Sequence, residues 1–227
     1  MDFTVVWTAA PLIAKGIGMT VLLMACVGTL APLLALPLAL AREFGPAWAG
    51  RAVSAFTWAM RAVPTLVLLF FAYFGLPALG IYLSPTLSAL GALIVSAMGY
   101  NVEFLTSGLR AVPAAQIETC RALGMGQGKM IRRIVLPQAL PVAVPPLFSN
   151  LTLNLKGTSL AGLVAVPELT SIISGLISET YRPIELLLVA GAIYLCLNSV
   201  LIWLQARVEE RLDVRWRAAR AERRAAA

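Results

Sequence analysis

Five apolar runs limit what this chain can fold into, at about residues 17–41, 52–76, 86–109, 138–156 and 184–206. Each is close to the roughly 20 residues that a helix needs to cross a bilayer core. Lipid offers no hydrogen-bond partners, so a spanning backbone must satisfy its own N–H and C=O groups, and runs of this length do so as helices. The expected fold is all-α: a polytopic membrane protein of about five transmembrane helices. The chain is 59% hydrophobic and only 13% charged, which does not suit a soluble surface.

The placement of charge sets an orientation. Arg42 and Arg51 lie between the first two runs, and Arg110, Arg121, Lys129, Arg132 and Arg133 between the third and fourth. Seven more arginines follow the fifth run, from Arg207 to Arg224, so fourteen of the 18 basic residues fall on one side. Positive loops stay in the cytoplasm, which places the N-terminus outside and the C-terminus inside. The net charge of +7 therefore reads as membrane topology and not as nucleic-acid binding. Residues 1–207 make the membrane domain, and residues 208–227 a basic cytoplasmic tail. No cleavable signal peptide is expected, because residues 1–15 lack a basic start and the first run is longer than a signal core.

Several chemistries lack their usual residues. There is no histidine, and the only aspartates, Asp2 and Asp213, lie outside the runs. Cys26, Cys120 and Cys196 are far apart and read as packing residues, not as a disulfide or metal framework. Serines such as Ser88, Ser96 and Ser199 have no evident base partner, which argues against a membrane-embedded enzyme. Pro32 and Pro37 should kink the first helix, a feature of moving bundles and of inert ones alike.

The loop at 110–137 is unusual for a chain so poor in charge. Pro113 suits the first position of a helix and Gly124 the left-handed residue that ends one. Between them, AAQIETCRAL makes about three turns with Ile117, Cys120 and Leu123 on one side. A second helix is expected from Met125 towards Val135, with Pro137 at the entry to the next span. The product is a basic helix–turn–helix, either a solvated hairpin or a docking element for a groove on a cytoplasmic partner.

The motifs in and around this loop resemble a known family. Glu118-Thr119-Cys120, three residues, Gly124, nine residues and then Ile134-Val135-Leu136-Pro137 resembles the EAA loop of ATP-binding-cassette importer permeases. In that pattern two alanines stand where this chain has Thr119 and Cys120. MRAVPTLVLLFFAYFGLP at 60–77, RAVPAAQIETCRALGM at 110–125 and LNLKGTSLAGLVAVPELT at 153–170 are similar to stretches of the polar amino-acid uptake, or histidine/glutamine-type, subfamily. The likeness covers most of residues 17–207.

This resemblance implies a transport subunit of the bacterial cytoplasmic (inner) membrane and not an enzyme. It would pair with a second permease, itself or a similar chain, above two cytoplasmic ATPase subunits. An extracytoplasmic solute-binding protein would deliver a polar amino acid. ATP and Mg would be bound by the ATPase partner, with no cofactor in this chain, and GMGQGK at 124–129 has the wrong spacing for a phosphate loop. Glu118, Thr119, Cys120, Gly124, Ile134, Leu136 and Pro137 would couple the spans to the ATPases.

Charges inside spans are costly, so Arg61, Glu103 and Lys156 are candidates for a cavity. An amino acid presents a carboxylate and an ammonium, matching Arg61 and Glu103 respectively. Both also match charged positions of the family, and a structural Arg61–Glu103 pair is the alternative. Lys156 and Asn154 are candidates for gating or packing, and Asn101 for an amide bond across helices. Two departures matter: Gly157 stands where the family has an aspartate and Thr106 where an arginine is common. A stand-alone transporter driven by an ion gradient through Glu103 is the rival reading, and it leaves the loop without a task. The topology predicts that a cysteine placed in the 112–135 loop is labelled by an impermeant thiol reagent from the cytoplasmic side only; labelling of intact cells from outside would invert it.

Overall fold

The computed structural model describes residues 4–225, with side chains described as far as Leu212. The first helix, α1 (Thr4–Phe44), runs 41 residues without a break. It begins well before the expected start near residue 17, because Thr4–Gly16 continues the same buried stripe. Ile13, Gly16, Thr20, Leu23, Val27, Ala31, Ala35 and Ala39 recur every three or four residues and face the bundle. Pro11, Pro32 and Pro37 sit inside this helix without ending it.

The second expected span is two pieces. Helix α2 (Ala47–Ala62) and the rod formed by α3 (Thr65–Phe70), a π-helical turn (Phe71–Gly75) and α4 (Leu76–Ala78) meet at 99°. The cause is Pro64, which cannot donate a hydrogen bond and holds Val63 in extended geometry (φ −83°, ψ 127°). Counted as one broken span, this pair brings the helices fit to cross a membrane to five among the described residues.

Helix α5 (Pro85–Arg110), capped by the Ser84 hydroxyl on the Leu87 amide, is the axis of the bundle. It packs most extensively against α1 and against α8 (Leu136–Gly157). Its loop-facing end leads to α6 (Ala114–Ala122), α7 (Gln127–Met130) and a second π-helical turn (Ile131–Val135). Pro113 caps α6 from outside as its N-cap. The expected separate helix over 125–135 is instead the start of the next span: α7, the π turn, α8 and a 3₁₀ stretch (Thr158–Val164) form one rod over Gln127–Val164. Both π turns stand directly before a Leu-Pro pair, Leu76-Pro77 and Leu136-Pro137. A proline cannot donate to the carbonyl four residues back and crowds it, so the turn ahead of it widens while the rod continues.

After the rod the chain turns through Ala165, a left-handed residue (φ 61°), into α9 (Leu169–Thr180). A second left-handed residue, Tyr181, reverses it into α10 (Pro183–Ala225). Helices α9 and the first part of α10 are thus antiparallel, and Glu168 meets Tyr194. That contact lies about eleven residues, or roughly 16 Å, below the start of α10.

Small residues let the helices approach where lipid supplies no hydrophobic drive. Gly108 of α5 is the tightest case: a Cβ there would stand 2.6 Å from the Ala139 carbonyl oxygen and 2.9 Å from the Ala143 Cβ. Backbone cannot yield as a flexible side chain can. Gly108→Ala is therefore expected to destabilise the folded chain by about 1–3 kcal/mol. Thermal unfolding in detergent checks this, with Gly91→Ala, where nothing lies within 4 Å, expected to match the unaltered protein.

Candidate functional site

Two of the charged candidates, Arg61 and Glu103, gather at the loop-facing half of the bundle. Arg61 occupies the last turn of α2, at the elbow before Pro64, and Glu103 lies about two turns from the end of α5. A partner not singled out from sequence, Arg42, comes from the last turn of α1. Its Nη1 donates to Glu103 Oε1 at 2.7 Å, while Arg61 Nη1 is 3.7 Å from the same oxygen. The Arg61 guanidinium also stands 5.7 Å from the centre of the Tyr100 ring, within range of a cation–π contact.

Burial separates the two arginines. The Arg42 side chain is 16% exposed, Glu103 27% and Arg61 48%. Arg42 is thus the closer partner of the carboxylate, and Arg61 is the more exposed of the two cations. Together with Thr57, Trp58 and Tyr100 they line a cleft of about 380 Å³. Two guanidinium groups against one carboxylate leave a net positive charge, so the cleft can accept an anionic group at Arg61. Arg42 escaped the sequence reading because it lay in a loop by run length, while the real helix extends to Phe44. A second pair, Arg110 Nη2 to Glu43 Oε1 at 2.7 Å, joins the same ends of α5 and α1.

Lys156 and Asn154 fall elsewhere. Both are in the last turns of α8; Lys156 is exposed, and its carbonyl accepts from the Ser159 hydroxyl at 2.7 Å. Asn154 lines a smaller cavity of about 160 Å³ between α1, α5 and α8, near the buried pair in which Asn150 Nδ2 donates to Asn101 Oδ1 at 2.8 Å. Thr106, in place of the family arginine, is 1% exposed, and its hydroxyl finds no partner among the described residues.

The loop is docked firmly against the bundle. Val112, Cys120, Met130 and Val135 are buried together with Ala35, Ala39, Leu109 and Ala139, and Ile117, Ile134 and Leu136 pack around them. Gln127 Nε2 donates to the Phe44 carbonyl at 2.8 Å and Gln138 Nε2 to Gln116 Oε1 at 2.8 Å. Gly124 adopts φ +68°, as a left-handed helix end requires. Leu123 departs from the expected side: at 77% exposed it faces away from the bundle, because the helix has ended at Ala122 and its periodicity no longer applies. Glu118, Thr119, Arg121 and Leu123 accordingly form an outward face, and Pro137 is exposed at the start of α8.

One buried carboxylate went unremarked in the sequence beyond its place in the PELT stretch. Glu168 is 0% exposed. Its Oε2 accepts from the Thr170 amide at 2.9 Å and its Oε1 from the Ser171 amide at 2.7 Å, which caps α9, while the Tyr194 hydroxyl donates to it at 3.2 Å. The Glu-Leu-Thr-Ser order, a side-chain acceptor just before a helix, was the available signal.

Comparison with known proteins gives the family. Residues 31–214 match the family described as the binding-protein-dependent transport system inner membrane component. An octopine transport system permease protein, OccM of Rhizobium meliloti, is 40% identical over 192 residues, covering 81% of this chain and 77% of that one. The histidine/lysine/arginine/ornithine transport system permease protein HisM of Salmonella typhimurium is 32% identical over 206 residues, covering 86% of this chain and 88% of that one. Among solved structures, an amino acid ABC transporter crystallised with histidines superposes with a TM-score of 0.84 at 27% identity, over 93% of this chain and 99% of that one. A chain of the MetNI methionine ABC transporter, at 20% identity and a TM-score of 0.79, shares the fold. By family match and by the extent of these relatives, the chain belongs to the binding-protein-dependent transport system inner membrane components and is a permease subunit of the amino-acid ABC importer family.

Proposed function

We propose that the chain translocates a polar amino acid handed over by an extracytoplasmic solute-binding protein, and that cytoplasmic ATPases drive it through the 118–137 loop. The observation that carries this reading is the loop itself, rigidly seated by Cys120, Met130 and Val135 while Glu118, Thr119 and Leu123 face outward. A solvated hairpin needs neither the buried anchor nor the exposed apolar side chain. Two ATPase subunits would bind ATP and Mg beneath a pair of permeases, this chain with itself or with a similar one. The N-terminus would lie outside and the C-terminus in the cytoplasm.

In the same reading Arg61 takes the substrate carboxylate and Glu103 the ammonium. Arg61 supports this by its freedom, since Arg42 already balances Glu103. An entering ammonium would then share the Glu103 carboxylate, which has a second oxygen for it. Arg61→Ala is expected to lower ATP-driven uptake by roughly 10- to 150-fold, the worth of a charge-assisted hydrogen bond, with assembly intact. Normal uptake by that variant would remove Arg61 from the site.

The coupling role is tested by purifying the chain gently from its own membrane and identifying what accompanies it by mass spectrometry. A stoichiometric ATPase is expected. A chain that emerges alone despite crosslinking favours a gradient-driven transporter. Gly124→Val, which places a branched side chain at φ +68°, should uncouple ATP hydrolysis from uptake. Unchanged coupling in that variant would separate the loop from the ATPases.

A further inference from the structure

Helix α9 is tied to the rest of the chain through a left-handed residue at each end. Ala165 has φ 61° and ψ 25°, and Tyr181 has φ 55° and ψ 32°. No other non-glycine among the described residues has a positive φ. A side chain disfavours that region, and residues held there by their surroundings cluster at moving parts of proteins. Both of this chain's examples flank one helix of 12 residues. The helix is thus a discrete piece between two swivels.

A small polar clasp seats this piece. The wholly buried Glu168 carboxylate caps α9 and accepts from the Tyr194 hydroxyl of α10 at 3.2 Å. That hydroxyl also lies 3.0 Å from Thr170 Oγ1, and Thr20 of α1 accepts from the Leu169 amide at 3.1 Å. No cation is among these donors. Burying a carboxylate on neutral donors alone is costly, and lifting it into water would recover its hydration. The clasp and the hydration therefore pull in opposite directions, which makes the seat a balanced one. Ile173 and Leu176 complete it by packing with Ile13, Leu186 and Ala190.

The other face of α9 is polar. Ser174, Gly175, Ser178 and Glu179 are exposed, whereas α10 turns apolar side chains such as Leu188 and Leu195 outward. A polar face beside apolar ones suits water and not lipid. The Glu168 end lies about 16 Å below the start of α10, half of the roughly 30 Å of a hydrocarbon core. From there α9 runs to the end of the bundle opposite the 118–137 loop.

We propose that α9 is a hinged gate at that end. It swings as a unit on Ala165 and Tyr181, shut when Glu168 holds Tyr194 and Leu169 holds Thr20, and open when it lifts from α1 and α10. The proposal rests on the importer reading only in taking ATP-driven transport as the movement that the gate serves.

The test uses cells that make the full chain with its natural partners. Ile173→Cys, 1% exposed, and Leu176→Cys, 7% exposed, report the seated face of α9; Val102→Cys, 0% exposed on α5, is the control. Labelling by N-ethylmaleimide is read at each position by peptide mass spectrometry, with and without arsenate to deplete ATP. Uptake of radiolabelled amino acids that depends on this chain is followed in the same cells. The expected result is labelling at 173 and 176 at least fivefold faster in energised cells, with position 102 unlabelled in both. Adding T20V/Y194F, which removes both clasp hydroxyls, should speed labelling at 173 in ATP-depleted cells roughly tenfold, the worth of two neutral hydrogen bonds. Labelling at 173 and 176 that stays slow while amino acids are taken up overturns the gate and leaves the importer reading standing. An equal rise at 102 means general loosening and also overturns it, as does an unchanged rate in the clasp variant. If uptake survives arsenate and stops with an uncoupler of the proton gradient, the importer reading fails. Labelling at 173 in T20V/Y194F against the intact clasp still decides the gate.

Discussion

Everything in this bundle hangs on how closely α5 can approach α1 on one side and α8 on the other. Two apolar helices in lipid gain little by leaving it, so their contact must come from surface fit and from the few polar bonds between them. Alanine and glycine at the crossings supply the fit: Ala31, Ala35 and Ala39 on α1, Ala92, Ala97 and Gly108 on α5, Ala139 and Ala143 on α8. The polar bonds are few and specific: Asn101 with Asn150, Arg42 with Glu103 and Arg110 with Glu43. The bonds of Asn101 and Glu103 lie on different sides of α5, so a single helix organises an uncharged cavity and a charged cleft.

The charged cleft shows how such a protein tolerates ions. Glu103, Arg42 and Arg61 would be expensive at the centre of a hydrocarbon layer. They stand near helix ends instead, one at the last turn of α1, one at the elbow of α2 and one about two turns from the end of α5. Arg42 fixes the carboxylate, and the more exposed Arg61 remains the responsive member. An isolated Arg61–Glu103 pair, the simplest structural alternative, would have spent the charge of both.

Much of this was legible in the residues. Run length and hydropathy gave the all-α membrane fold, and the left-handed Gly124 with the buried Cys120 followed from a short helical pattern. The elbow at Pro64 was hidden because the apolar run continues through it, and composition does not register a 99° turn. The continuity of 127–164 was hidden for the opposite reason. Pro137 read as the boundary between a short helix and the next span, yet packing of Met130, Val135 and Ala139 against the bundle accompanies a helix that continues through it. Arg42 depended on a contact between segments 61 residues apart, which no local pattern records, whereas the Glu168 cap had a local signal and only its contact with Tyr194, 26 residues away, did not. Arg61 and Glu103 were singled out and do share one cleft, while Lys156 and Asn154 sit apart from it.

The unbroken rod from Gln127 to Val164 has a mechanical meaning. At 38 residues it is close to 57 Å long at an ideal rise, and one of its ends is the loop while Asn150 and Asn154 ride farther along it. The widened turn before Pro137 lets that proline pass, and Pro141, Pro145 and Pro146 also lie within the helix without ending it. Tilting it by about 10° around its middle would carry each end some 5 Å in opposite directions, by the geometry of a stiff helix. The loop end and the amide cavity thus share one continuous helix.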